Sequence, residues 1–488
     1  MKRTVNLLLL IFPIFCIGQT QIGADINGEA ANNSSGQSVS ISSDGTHVAI
    51  GAPYNNGSGT NSGHVRVYQN VSGIWTQVGA DINGEAAGDQ SHIVALSANG
   101  STVAIGAPYN NGSDTNSGHV RVFQNVSGVW TQIGADLNGD SVGSNFGSSV
   151  SISDDGSIVA AGSFNNGGIG YVKVYKNISG VWTQIGNNIV GVENGDFFSK
   201  VSLSSDGNSI AIGASSYDGN GANSGLVRVY QNVSGVWTQI GNNIIGEAAG
   251  DSFGRSISLS ADGSIVAIGA PLYGGINFGR VQVYQNIAGV WTQIGDNIDG
   301  EINCSTGSTE FGGSVSLSDN GNILAIGGHG NCGNGIESGH VRIYQNISGV
   351  WTQIGVDIDG EAAYDYSGIS VSLSSDGSVL AIGAPSNDGN GNSSGHVRVY
   401  NLIAILSADD FTLNELKTYP NPTNDILNFS FDKEISKVTI YNLVGQEVLS
   451  KSFNNNETSI NVTGLSAGTY LVKVNSKNAI NTIKFIKQ

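Results

Sequence analysis

Six tryptophans stand at nearly even intervals along the chain: Trp75, Trp130, Trp182, Trp237, Trp291 and Trp351, separated by 55, 52, 55, 54 and 60 residues. They are all the tryptophans of the 488-residue sequence. Each lies in a copy of one stretch, first seen as Gly63-His64-Val65-Arg66-Val67-Tyr68-Gln69-Asn70-Val71-Ser72-Gly73-Ile74-Trp75-Thr76-Gln77. A period of this size marks stacked structural units, none of which can bury its apolar face alone.

The stretch reads as a hairpin. Val65 and Val67 alternate with Arg66 and Tyr68, the period of a strand. Asn70-Val71-Ser72-Gly73 supplies a turn, and Ile74-Trp75-Thr76-Gln77-Val78 resumes with residues that suit a pleated surface. Upstream, Ser38–Ser42 and His47–Ile50 flank Asp44-Gly45, a second hairpin signal. Each unit therefore holds four short strands: a (38–42 in the first unit), b (47–50), c (64–68) and d (74–78).

The strand tally shows how the units end. Seven a–b turns carry D-G or N-G, at Asp44, Asn99, Asp155, Asp206, Asp262, Asn320 and Asp376. Seven d strands also occur, but the first, Thr20-Gln21-Ile22-Gly23, has no strand c before it. The last strand c, Gly395–Tyr400, has no Trp-Thr-Gln strand after it. If the two ends pair, they complete one unit together and remove an exposed sheet edge. The expectation is an all-β chain: a closed seven-bladed β-propeller, with an open β solenoid as the runner-up, followed by a small β-sandwich.

Each unit also carries V-A-I-G-A-P or a variant, as at Gly51-Ala52-Pro53, Gly106-Ala107-Pro108, Gly269-Ala270-Pro271 and Gly383-Ala384-Pro385. Phe146-Gly147, Phe253-Gly254 and Phe311-Gly312 lie upstream in three units. This resembles the FG-GAP repeat of integrin-α-type propellers and their bacterial relatives, over residues 19–403. Units 1, 2 and 7 lack F-G, Phe198 is followed by Ser199, and Gly162-Ser163-Phe164 and Gly327-Gly328-His329 depart from G-A-P. The resemblance implies calcium in several a–b turns, held by D-x-[DN]-x-D-G-x-x-D. Here those turns have shrunk to forms such as Ser42-Ser43-Asp44-Gly45-Thr46, and one acid cannot supply six to eight oxygens. No cofactor is therefore expected, and calcium is not carried over. Asp25-Ile26-Asn27-Gly28-Glu29, with copies at Asp81–Glu85 and Asp357–Glu361, is a weaker calcium candidate, and polar turn chemistry around a core isoleucine is the preferred reading.

Beyond a linker at 404–416 the pattern changes. Tyr419-Pro420-Asn421-Pro422, Asn442-Leu443-Val444-Gly445-Gln446-Glu447-Val448 and Gly468-Thr469-Tyr470-Leu471-Val472-Lys473-Val474 punctuate short strands over 417–488. The set resembles the C-terminal sorting domain (type A) of the type IX secretion system of Bacteroidota. It implies recognition by that machinery, passage across the outer membrane, and release or surface anchoring.

Export agrees with the other end. Lys2 and Arg3 precede an apolar run from Leu7 to Phe15, and Cys16-Ile17-Gly18 offers small residues before Gln19, so 1–18 reads as a signal peptide. Cys16 as a lipoprotein cysteine is the alternative, disfavoured by bulky Phe15. No later run is long and apolar enough to span a bilayer. The formal charge is −18, from 10 Lys+Arg against 32 Asp+Glu over 19–410, 8 against 6 over 411–488, and the two leading cations. Such an acidic body disfavours nucleic acid, whose phosphates need Lys and Arg.

Chemistry is harder to find. His64, His119, His340 and His396 all open strand c, but Tyr171, Leu226 and Arg280 hold that slot elsewhere, so they read as structural. The serines follow strand-a alternation, and no G-x-S-x-G, Walker loop or H-E-x-x-H occurs. The d–a and b–c loops emerge on one propeller face and vary in length, as recognition loops do. Just after the G-A-P position lie Tyr54, Tyr109, Phe164, Tyr217 and Tyr273, candidates to stack on a sugar or anchor a protein. The expected role is a non-catalytic secreted or cell-surface binding or adhesion protein with a glycan or protein ligand. A glycan-active enzyme and a purely structural surface protein are the alternatives. Cys304 and Cys332, in the d–a and b–c loops of the sixth unit, are expected to form a disulfide in an oxidising compartment.

Overall fold

The computed structural model describes residues 18–164, 169–191, 200–274, 277–301, 308–408, 417–430, 435–442, 446–452, 459–476 and 480–488. The signal-peptide reading lies outside these residues except for Gly18, as does Phe198-Ser199. The chain divides into two compact units, Met1–Ile405 and Leu406–Gln488.

The first unit holds seven antiparallel sheets, each with strand order a-b-c-d. In the first blade these are Ser38–Ile41, His47–Ala52, His64–Val71 and Ile74–Gln77. The c–d hairpin turns on Ser72 and Gly73, both at positive φ, the type I′ geometry that the right-handed strand twist favours. After strand d the chain folds back, and a two-residue strand, Ile82–Asn83, pairs with the start of strand c at Val65 and His64. The inner strands a touch one another in sequence order, and the seventh, Ser370–Leu373, touches the first, so the sheets form a ring.

Three repeated contacts hold blade to blade. The strand-a serines accept hydrogen bonds from the next inner strand: Ser40 Oγ from Leu96 N at 2.9 Å, Ser258 Oγ from Leu317 N at 2.9 Å, and across the closing seam Ser372 Oγ from Ile41 N at 3.1 Å. This satisfies inner-edge N–H groups that have no strand beside them. Each tryptophan donates Nε1–H to the previous blade, as Trp75 does to Ile22 O (2.8 Å) and Trp130 to Val78 O (2.7 Å). Glycines supply the third contact. A Cβ on Gly106, Gly269 or Gly383 would lie 2.1, 2.1 or 2.0 Å from the carbonyl oxygen of Gly147, Gly312 or Gly36 of the following blade. The apolar cores lie between blades, for example Val48, Ile50 and Tyr68 with Val379, Val397 and Val399.

The two chain ends share a blade. Thr20 and Gln21 pair with Asn401 and Tyr400, and Ile26 and Asn27 with Val397 and His396. Gln19 stands where other d strands have tryptophan, and its Nε2 donates to Val356 O of the preceding blade at 2.7 Å. A short helix, Ile403–Ala408, follows, so the expected linker begins inside it; residues 409–416 lie outside the described ones. Among the described residues no helix is long and apolar enough to cross a membrane.

The second unit has two sheets. Lys417–Tyr419, Ile426–Ser430 and Ser459–Asn461 form one. Glu447–Ser452, Ile435–Asn442, Gly468–Ser476 and Ile480–Lys487 form the other. They enclose a separate core that includes Leu427, Phe429, Val438, Ile440, Val472 and Phe485.

Candidate functional site

Three of the five aromatics singled out from sequence come together. Tyr54, Tyr109 and Phe164 follow strand b of three successive blades and line one cleft of about 440 Å³ with Pro53, Pro108 and His92. Their rings are 43, 43 and 49% exposed. Each proline fixes φ directly before its tyrosine, so these rings are presented by a stiff backbone. Tyr217 and Tyr273 do not join them. Both are half-buried against the core between their blades, and Tyr273 packs edge-on to Phe278 with the Arg280 guanidinium 3.6 Å from its ring centre.

Gln37, Ile93 and Ser148 of the cleft also line the central channel, to which all seven inner strands contribute. Lys200 and Arg255 face this channel. Lys200 is exposed to the channel space, and the surrounding inner strands first, the Arg255 charge second, lower its ammonium below its ordinary pKa. Sequence reasoning missed these two cations because they lie 55 positions apart, Lys200 opening its strand a and Arg255 directly before its own. A larger opening of about 520 Å³ lies beside Trp237, but it recurs beside Trp130 and Trp351 and belongs to blade stacking.

The strand-c histidines are not isolated. The two-residue strand after strand d brings an aspartate against the histidine of its own blade, while the glutamate of the preceding such segment reaches it from the other side. His64 Nδ1 lies 3.5 Å from Asp81 and 3.7 Å from Glu29. His119 Nδ1 lies 3.8 Å from both Asp136 and Glu85, and His396 Nδ1 lies 3.8 Å from Asp25 and 3.9 Å from Glu361. All three histidines are 1% exposed, and among the described residues none of these Nδ1 atoms has a hydrogen-bond partner. Each set of three side chains, like His340 with Asp357 and Asp359, has the donor types that hold a metal ion. Burial, then the charge of Arg121 or Arg398, holds the His119 and His396 imidazoles below their ordinary pKa. Contact with His64 leads the causes that hold Asp81 at about 2. Burial, then the charge of Asp25, raises Glu361.

The a–b turns use their acid internally. Asp44 accepts hydrogen bonds from Ser42 Oγ, Thr46 N and Thr46 Oγ1 at 2.7–2.9 Å. Cys332 is disulfide-bonded, and Cys304 lies outside the described residues.

Among protein-family models, residues 417–488 match the Secretion system C-terminal sorting domain. No FG-GAP family matches. The sorting domain makes this a type IX secreted protein of Bacteroidota, sent to the cell surface or beyond, and implies contact with the type IX machinery. No curated protein matches the sequence significantly. Solved structures with a similar course include Kuenenia stuttgartiensis hydrazine synthase, at 15% identity and a TM-score of 0.49, covering 78% of this chain and 97% of that one. A putative 6-phosphogluconolactonase from Bacteroides uniformis ATCC 8492 also has 15% identity and a TM-score of 0.49, covering 68% and 88%. Similarity at this level says nothing of the activity of the present chain.

Proposed function

We propose that the propeller is a non-catalytic binding module of the exported protein, and that the cleft of Tyr54, Tyr109 and Phe164 binds an extracellular glycan. The observation that carries this reading is the convergence of three exposed rings from three blades on one open cleft. Flat aromatic faces suit the apolar faces of sugar rings. Among the described residues the cleft lining contains no carboxylate, and its imidazole, His92, has Nδ1 engaged by Gln90 O at 2.6 Å. That composition favours binding over glycoside hydrolysis, which uses a pair of carboxyl groups. The meeting of the G-A-P-position glycine with an F-G glycine at three seams, Gly106 with Gly147, Gly213 with Gly254 and Gly269 with Gly312, supports kinship with FG-GAP repeats.

A glycan and matrix-protein array with the full chain tests the proposal. Tyr54→Ala and Tyr109→Ala should each weaken binding of the selected glycan roughly 5- to 30-fold, the equivalent of about 1–2 kcal/mol for a buried aromatic contact. Tyr364→Ala, at an exposed ring elsewhere, should leave binding unchanged. Equal affinity of all three variants would refute the cleft as the site, and hydrolysis of the bound glycan would refute the non-catalytic reading.

A further inference from the structure

We propose that three adjacent blades each bind a divalent transition-metal cation of the zinc class, at His396–Asp25–Glu361, His64–Asp81–Glu29 and His119–Asp136–Glu85. The proposal is independent of the glycan cleft.

Geometry comes first. In each set one buried, unpartnered Nδ1 faces two carboxylate oxygens at 3.5–3.9 Å, and all three atoms lie within 4.8 Å of one another. These separations are too long for good hydrogen bonds. Triangles with such sides have a point equidistant from all three corners at no more than about 2.5 Å, close to the range of metal–nitrogen and metal–oxygen bonds. A water at that point would be too near, since its hydrogen bonds run to about 2.8 Å.

Comparison of the blades within the one chain comes second. Wherever strand c opens with histidine, the residue just before the pair that returns to the start of strand c is aspartate: Asp25 with His396, Asp81 with His64, Asp136 with His119, and, within the continuous strand Val350–Asp359, Asp357 with His340. Wherever it does not, that residue is asparagine: Asn188 with Tyr171, Asn243 with Leu226, Asn297 with Arg280. Two of these blades supply a cation of their own. Arg280 contacts Glu247 at 2.6 Å and Asp299 at 2.5 Å, and Lys173 pairs with Asp140. The sixth blade does the same, because Arg342 engages both oxygens of Asp357 at 2.9–3.0 Å and reaches Glu301 at 2.7 Å. Its histidine set is therefore excluded from the proposal.

In the three chosen blades the corresponding arginines point elsewhere. Arg66, Arg121 and Arg398 donate Nη2–H to the carbonyls of Asn27, Asn83 and Asp359 at 2.6–2.9 Å, and stay 3.5–3.9 Å from the glutamates. Two carboxylates against one guanidinium leave each site net negative. One imidazole nitrogen with two carboxylates suits zinc-like ions and not calcium or magnesium, which take oxygen ligands. Three protein ligands leave one position for water. Asp25 and Glu29 belong to one segment but serve neighbouring blades, so the ions would also fasten the segment that closes the ring.

The probe is Zn²⁺ alone, titrated calorimetrically into the full chain and counted by elemental analysis after dialysis. The expected result is three equivalents bound in the micromolar range or tighter, with a rise in melting temperature. His64→Gln, His119→Gln, His396→Gln and Asp81→Asn should each lose one equivalent, and His340→Gln none. Because a buried histidine variant can misfold, the fold is checked by circular dichroism, and half-buried Asp81→Asn carries the test if His64→Gln fails. Arg280→His with Asn297→Asp, beside native Glu247, should gain one equivalent. Folded variants that keep the wild-type stoichiometry, absence of binding at millimolar Zn²⁺, or occupation of these sites by Ca²⁺ in preference to Zn²⁺ would each overturn the proposal.

Discussion

Substituting Gly269 by alanine tests how closely the blades approach. The position has ordinary negative-φ strand geometry, so the backbone itself would accept alanine, and any penalty comes from what the new methyl meets. That methyl would lie 2.1 Å from Gly312 O of the next blade and 2.3 Å from Ser256 Oγ. A carbon–oxygen contact needs about 3.2 Å, so the next inner strand must retreat by about 1 Å against a packed interface. Ser256 Oγ donates to the same Gly312 O at 2.7 Å, and this bond would be lost. Overpacking at about 1–3 kcal/mol and one hydrogen bond at about 1 kcal/mol give a destabilisation of about 2–4 kcal/mol. Spread over the unfolding entropy of roughly 390 residues, that lowers the melting temperature of the propeller by about 2–5 °C. The control is Gly128→Ala. Gly128 has φ of 86° and nothing within 4 Å of the added carbon, so only left-handed backbone strain of about 1 kcal/mol applies. Calorimetry of both variants decides the matter. If Gly269→Ala melts no lower than Gly128→Ala, the glycine-to-carbonyl seam is not what the repeat preserves.

Three further outcomes are expected. Removing residues 19–24 strips the partner from Asn401 and Tyr400 and the acceptor from Trp75 Nε1, so size-exclusion chromatography should show aggregation; a monomer with unchanged melting would refute the shared blade. Removing 417–488 should leave the protein in the periplasm with the melting transition of the propeller intact, because the two units have separate cores; normal amounts outside the cell would refute the sorting role. A non-reduced digest should yield a Cys304–Cys332 linked peptide, and two alkylatable thiols in the secreted protein would refute that pairing.

Most of the fold could be read from periodicity, but the reasons for the motifs could not. The orphan d strand at Thr20 and the unfinished unit at Tyr400 implied closure by counting alone, and the two strands do pair. The F-G motif, by contrast, looked broken in units 1, 2 and 7. At the seam the recurring feature is the glycine, which lets the backbone of one blade lie on the G-A-P glycine of the last. Gly36 and Gly368 keep that place behind serine, and in unit 2 the carbonyl of His92 takes it opposite Gly51. Phe146, Phe253 and Phe311 fill core volume and are dispensable to the contact. The strand-a serines were likewise legible only as alternation. Their hydroxyls serve the next blade, and no local pattern reveals a partner some 55 residues away.

The same difficulty governed the sites. Five aromatics share one position in the repeat, yet two are drawn into their own blades because a neighbour such as Phe278 offers an apolar surface to cover. Position in a repeat fixes where a side chain starts, and its surroundings decide whether it stays exposed. The histidines make the point from the other direction. Taken alone, the column that contains His64, Leu226 and Arg280 reads as tolerant and therefore structural. The folded chain shows that its partner column is the aspartate ahead of the returning strand, and that each acidic segment divides its two carboxylates between adjacent blades. Histidine and aspartate are then present together or absent together, and the blade with Arg280 brings its own positive charge to the acids that remain. Substitution in one column is evidence against a shared role only if the other column fails to change with it, and here all seven blades change in step.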